Sequence, residues 1–298
     1  MVRATLTIMR KKLQIKARYY GILLGSTFAA WNSDNGLRMG AALAYYALFS
    51  LAPILFVAVT IAGSVLGDAS AQEGVINQVR YYVGAQGAQA VRALMAPVAA
   101  VQGGPWGGII SAAVLFFSAS GLVSELQSAL NDIWRVVPPP RPWLALARRR
   151  LLALGFVLGS GFLLLLALVL SAVVSASGKY MGAMLPFPES ALHAMDFLLS
   201  FCAATFLLAM VYKYLPDVRI AWRDVWIGAG VTSVLLTLGN LVIGIFLGRS
   251  DLTTAFGAAG SLILVVVWIY YAAQLLYFGA EFTRVHAQER GLAAGQRN

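Results

Sequence analysis

"MGAALAYYALFSLAPILFVAVTIAGSVLG", residues 39–67, runs from Arg38 to Asp68 without one Asp, Glu, Lys or Arg. A helix needs about 20 apolar residues to cross the hydrocarbon core of a bilayer, so this stretch reads as a membrane span. Further charge-free gaps cover residues 93–124, 151–178, 197–212, 225–248 and 252–280. Only 197–212 is short, and its flanks complete it. Barrel strands would alternate over segments of about 10 residues, and no such pattern occurs. The fold class expected is an all-α integral membrane protein: a six-transmembrane-helix bundle with spans at about 39–66, 106–124, 151–177, 194–214, 225–248 and 256–281.

Composition agrees. Hydrophobic residues make up 60% of the chain and charged residues 11%, with a mean hydropathy of +0.77. A soluble domain has roughly 25% charged residues, too many for this chain to imitate. The N-terminal segment, the connections after the second and fourth spans and the C-terminal tail carry 18 Lys and Arg, against 4 in the opposite connections. By the positive-inside rule both termini are expected in the cytoplasm. The net charge of +10 sits at span ends, where it sets topology and meets anionic lipid headgroups on the cytoplasmic face. No nucleic-acid partner is expected. Residues 1–38 form a cytoplasmic N-terminal segment, 39–283 the membrane domain and 284–298 a cytoplasmic tail. The first 30 residues lack the compact apolar core and cleavage site of a signal peptide, so they are expected to remain.

Leu13, Ala17, Tyr20, Leu24, Phe28 and Trp31 recur at steps of three or four, drawing the apolar stripe of an N-terminal interfacial helix. In the first outer loop, Val75, Val79, Tyr82 and Val83 form one such face and Val91, Leu94, Met95 and Val98 another. Two short amphipathic helices are expected there. "VVPPPRPW", residues 136–143, is a stiff extended linker. GxxxG spacings, among them those beginning at Gly21, Gly36, Gly63, Gly104, Gly155 and Gly244, suit close helix packing and are compatible with a homo-oligomer.

Signatures of catalysis are missing. The two histidines, His193 and His286, fall near opposite faces in this topology and cannot share a metal. Cys202 is the only cysteine, so no disulfide framework or Cys-based metal site arises. No cofactor, metal or enzymatic activity is expected. Polar residues gather instead at the basic ends of the spans. Ser118, Gly121, Glu125, Ser128 and Asp132 form a polar stripe down the second span, with Asn131 and Arg135 beside it. "YKYLPDVRIAWRDVW", residues 212–226, sets Lys213, Asp217, Arg219, Arg223 and Asp224 around Pro216, which ends the fourth span. Asp224 complements the dipole at the start of the fifth. Within the spans, Asn240 and Gln274 are polar groups expected to face protein rather than lipid. Glu281 closes the sixth span with Arg284 three residues on.

Four stretches, "GAALAYYALFSLAPIL", "ALNDIW", "YLPDVRIAWRDVWIGAG" and "FGAAGSLILVVVWIYYAAQLLYFGAEFTRV", resemble the YihY/BrkB family of bacterial inner-membrane proteins. The resemblance runs from about residue 20 to 285 and implies a six-span bundle. It also implies that Tyr45, Tyr46, Ser50, Pro53, Asn131, Trp134, Pro216, Asp217, Trp222, Asp224, Gly257, Trp268, Tyr270, Gly279 and Glu281 matter, without assigning any a catalytic role. Roles suggested for that family range from envelope integrity and serum resistance to lipid or solute export. A ribonuclease BN label on some members finds no support here, because a metal-dependent nuclease needs His and Asp ligands that this chain lacks.

The leading functional expectation is transport or flipping of an envelope-related lipid or small solute without ATP hydrolysis. The rival is a non-transporting scaffold for envelope machinery. In the first span, Pro53 removes a backbone donor and frees the carbonyl of Phe49, a role Ser50 or a water can fill. The kink and the paired phenols of Tyr45 and Tyr46 suit either an aromatic interface belt or a polar cavity. If a cavity exists, Tyr45, Tyr46, Ser50, Glu125, Asp217 and Glu281 should converge on it. Glu125, Asp217 and Glu281 are then the ionisable candidates, and Arg38, Arg219 or Arg223 the expected counter-charge.

Overall fold

In the computed structural model, the residues described are 2–66, 107–136, 155, 189–248 and 258–295, with 72–74, 76–77, 80, 87–89 and 91–92 between them. The expected third span, the proline linker from 137 onward and Gly257 lie outside the described residues. All elements among the described residues are helices, with no strand. They are α1 (Val2–Ser33), α2 (Gly36–Leu66), α3 (Gly107–Ile133), α4 (Glu189–Tyr214), α5 (Trp222–Gly248) and α6 (Ala258–Gly295). Helices α2 to α6 overlap the expected first, second, fourth, fifth and sixth spans.

Local chemistry explains the breaks. Between α1 and α2 the chain turns at Asp34 and Asn35, whose φ is 56°. Asparagine tolerates that left-handed conformation better than most residues, and Asn35 O then accepts from the backbone N–H of Arg38 and Met39 at 2.9 and 3.2 Å. Helix α3 ends in a second left-handed residue, Arg135, also at φ 56°. There Val136 N donates to Asn131 O at 2.9 Å and Arg135 N to Asp132 O at 3.1 Å, a cap that satisfies the last carbonyls. Helix α4 stops at Tyr214, two residues before Pro216, which cannot continue a helix.

Helix α6 is the axis of the bundle. It packs against α1, α2, α3 and α5, while α3 lies along α2 and α4 along α5. Leu43, Leu130, Ile133, Tyr212, Val225 and Tyr277 belong to one buried cluster that joins α2 through α6. Leu23 on α1 is seated against Phe282 and Val285. The apolar stripe expected on α1 lies on a different side: Tyr20, Leu24 and Phe28 are exposed, whereas Leu23 and Thr27 are buried. Between α2 and α3 the described positions from 72 to 92 are helical, and Glu73 and Arg92 pair at 3.0 Å.

Polarity is distributed inside out. Leu238, Leu241 and Val242 on α5 are more than half exposed, while Thr205, Tyr212, Thr232 and Ser233 are buried. Lipid reverses the usual penalty: apolar groups face outward at no cost, and hydroxyls hydrogen-bond between helices. Tyr212 Oη donates to Leu276 O at 2.7 Å and lies 3.0 Å from Thr232 Oγ1, and Thr205 Oγ1 donates to Ser233 Oγ at 2.8 Å. Three stretches among the described residues, Phe197–Tyr214, Trp222–Val242 and Leu262–Gly291, are long and apolar enough to cross a membrane.

Candidate functional site: a buried charge cluster at one end of the bundle

The α1–α2 joint, the end of α3, the α4–α5 hairpin and the second half of α6 meet at one end of the molecule. Their charged groups do not all turn to solvent. Glu281 is fully buried, and the side chains of Asp34 and Arg284 are each 9% exposed. Arg284 is held three residues along α6 from Glu281, and its Nε and Nη2 both donate to Glu281 Oε2, at 3.0 and 2.7 Å. The same Nη2 lies 3.6 Å from Asp34 Oδ2. Asp34 Oδ1 accepts from Arg135 Nη2 at 2.6 Å and from Ser33 Oγ at 3.2 Å. Arg135 itself is largely exposed, so this cluster reaches the surface along one edge. Charges from α1–α2, α3 and α6 are thereby linked, and breaking such a buried set by removing one partner costs about 3–5 kcal/mol.

Beside this cluster sits Tyr277, fully buried, with no partner for its hydroxyl. Glu125 on α3 is half-buried and acts electrostatically on Tyr277; Arg38 is a favourable and Asp132 an unfavourable charge for it. Tyr277 stands four residues, about one turn, before Glu281 on α6.

The other residues singled out in the sequence have different surroundings. Asp217 is held by α3: Asn131 Nδ2 donates to its Oδ2 at 2.9 Å, Gln127 Nε2 to its Oδ1 at 3.3 Å, and its own backbone N–H donates to Asn131 Oδ1 at 2.8 Å. This clasp fastens the α4–α5 hairpin to the end of α3. Tyr45 is 61% exposed, its ring 4.9 Å from that of Phe49, and Tyr46 lies over Gly121 of α3. Ser50 is buried and donates to Tyr46 O at 2.8 Å, three residues before the Phe49 carbonyl that Pro53 frees. Helix α2 continues through Pro53. Gln274 Nε2 reaches Leu37 O at 3.4 Å, and Asn240 is half-buried on α5. Asp132, Arg219 and Arg223 are exposed. The counter-charge of Glu281 is therefore Arg284, and neither Arg219 nor Arg223 takes that part. Lys213 donates to Ile220 O and lies 5.3 Å above the Trp222 ring, while Asp224 pairs with Arg290 at 3.0 Å. The two hairpin acids thus find their partners on other helices, whereas Lys213 turns to a carbonyl and a ring within the hairpin.

Asp34, Tyr277 and Arg290 had escaped the reading of the sequence. Asn35-Gly36 is a turn dipeptide, and it was the one signal that could have placed Asp34 at a helix joint. No group of three or more His, Cys, Asp or Glu that could hold a metal occurs among the described residues.

Comparison with known proteins places the chain. It is similar to a UPF0761 membrane protein of Verminephrobacter eiseniae, 30% identical over 178 residues, covering 59% of this chain and 41% of that one. A UPF0761 membrane protein of Pseudomonas aeruginosa is 28% identical over 259 residues, covering 83% of this chain and 58% of its own. One from Glaesserella parasuis is 26% identical over 195 residues, with 63% and 65% covered. The aligned part spans about half the length of the curated relatives it matches. No solved structure matches. The family described as Virulence factor BrkB matches residues 27–298; with apolar helices and these bacterial membrane relatives beside it, this chain belongs to that family.

Proposed function

We propose that the protein is a multi-pass inner-membrane protein, with both termini cytoplasmic, that moves an anionic envelope-related lipid or small solute without hydrolysing ATP. The observation that carries this reading is the Asp34–Arg284–Glu281 cluster, charged and buried inside an apolar bundle. Glu281 closes the last expected span, and an ionisable group there that turns into the bundle rather than to water marks a substrate or ion pathway by default. Arg38, Arg219 and Arg223 at the same end are exposed and supply an attraction for anionic headgroups. In this reading the protein is not an enzyme, needs no cofactor and binds no nucleic acid.

The test is reconstitution of the full chain into vesicles carrying a fluorescent phosphatidylglycerol, with trans-bilayer movement read by external quenching. Movement should exceed that of protein-free vesicles and fall at least tenfold in Glu281→Gln. Vesicles that move neither this lipid nor a small anion such as chloride faster than protein-free controls would sink the proposal. A second reading, a non-transporting scaffold, is favoured by the Asn131–Asp217 clasp, which locks the hairpin end. It predicts inert vesicles together with a stable envelope partner that co-purifies stoichiometrically.

A further inference from the structure

We infer that Asp34 and Glu281 hold one exchangeable proton between them, making the end of the bundle a buried proton-exchange site with Arg284 as its movable counter-charge. This deepens the transport reading by naming a ligand of the same site, and rests on it only for what the proton is used for.

The geometry is specific about where a proton is missing. Both N–H groups that Arg284 offers to Glu281 converge on Oε2, so Oε1 is buried without a donor. Asp34 receives its two hydrogen bonds on Oδ1, and its Oδ2 is likewise buried without a hydrogen bond. The two carboxyl groups nevertheless share one nitrogen, Arg284 Nη2, which lies 2.7 Å from Glu281 Oε2 and 3.6 Å from Asp34 Oδ2 and so holds them side by side. Two ionised carboxylates in that position repel and have nothing to donate, and a like-charged pair at such range relieves itself by sharing a proton. With the proton on Glu281, its carboxyl O–H donates to the Asp34 carboxylate, and both orphan oxygens gain a partner. On release, the proton leaves for the aqueous phase at the edge marked by the 63% exposed Arg135. No covalent bond changes. Arg284 Nη2, at 2.7 Å from one carboxylate and 3.6 Å from the other, is then placed to be drawn towards Asp34. The proton thereby alters the tie between the α1–α2 joint and α6.

Charged or titratable groups stand on each element packed at this end. Asp34 comes from the α1–α2 joint and Arg38 from α2, whose charge bears on Glu125. Helix α3 supplies Arg135, Glu125 and Asp132, and α6 supplies Arg284 and the unpartnered Tyr277 hydroxyl. On α5, Asp224 is engaged by Arg290, and Lys213 from α4 is turned to Ile220 O.

Infrared difference spectra of the purified full chain across a pH titration read the proton directly, as the carbonyl stretch of a protonated carboxyl. Wild-type protein should show one such band that titrates. Glu281→Gln should lose it. If that variant does not fold, Asp34→Asn decides: its carboxamide can donate to Glu281 Oε1, so the proton is no longer needed and the band should again vanish. Glu125→Gln should keep the band. A wild type without a titrating band, a band that survives both Glu281→Gln and Asp34→Asn, or one lost in Glu125→Gln would overturn the proposal. Protein that shows the band but moves no lipid supports the proton site and sinks transport alone; protein that moves lipid without the band does the reverse.

Discussion

Arg284 is the residue on which the buried charges depend. It gives two N–H groups to Glu281 and its charge to Asp34, so Arg284→Leu leaves two buried carboxylates facing each other. The expected loss is about 3–5 kcal/mol, read as a shift in denaturant unfolding in mixed micelles. Arg284→Lys should lose less, because the charge remains while the forked donor geometry goes. Arg135 makes a contrasting case. Its left-handed φ of 56° costs a non-glycine residue roughly 1–2 kcal/mol, while its exposed ion pair with Asp34 contributes about 0–1 kcal/mol. Arg135→Gly should therefore be neutral or slightly stabilising in the same assay, and a loss above about 2 kcal/mol would show that the pair matters more than its exposure allows. The Glu281–Arg284 pair was legible in the sequence because three residues along a helix is one turn. The part played by Asp34 was not, because a charge count fixes depth in the bilayer and says nothing of which way a side chain faces.

At the scale of elements, charge-free gaps located the helices but not their ends. Charges mark where lipid stops, whereas a helix continues as long as its own capping and packing allow. The charge-free gap of the second span closes at residue 124, yet α3 runs on to Ile133, because Leu126, Leu130 and Ile133 bury one face beyond the gap. Helix α6 runs past residue 281 to Gly295, held on α1 through Phe282 and Val285. The glycines at the α5–α6 contact were equally hidden, since Gly228 and Gly279 belong to no GxxxG spacing. A Cβ at Gly279 would overlap Thr232 Oγ1 and crowd Tyr212 Oη. Gly279→Ala should thus cost about 1–3 kcal/mol through overpacking, and pairing it with Thr232→Ala should recover part of that loss. Gly21 on α1 has nothing within 4 Å of such a Cβ, so Gly21→Ala should be neutral or gain up to about 1 kcal/mol from helix propensity. Thermal unfolding of the three variants in detergent separates the two cases.

For the whole molecule, the orientation in the membrane decides which aqueous phase the buried cluster can exchange with. The 18-to-4 division of basic residues assigns the end bearing Arg38, Arg135 and Arg219 to the cytoplasm, and the same rule assigns Arg92 to the opposite face. Both Arg92 and Arg135 are more than half exposed, so cysteines placed there should react without opening the fold. Cys202 is the only native cysteine and is exposed, so Cys202→Ser removes the background. In that background, a membrane-impermeant thiol reagent added to intact spheroplasts should label Arg92→Cys and leave Arg135→Cys unlabelled. Inverted inner-membrane vesicles should show the opposite. Labelling of Arg135→Cys from the outside would put the Asp34 edge of the cluster on the external face. Proton exchange would then draw on the external phase, and the cytoplasmic headgroup attraction argued from Arg38, Arg219 and Arg223 would fail with it.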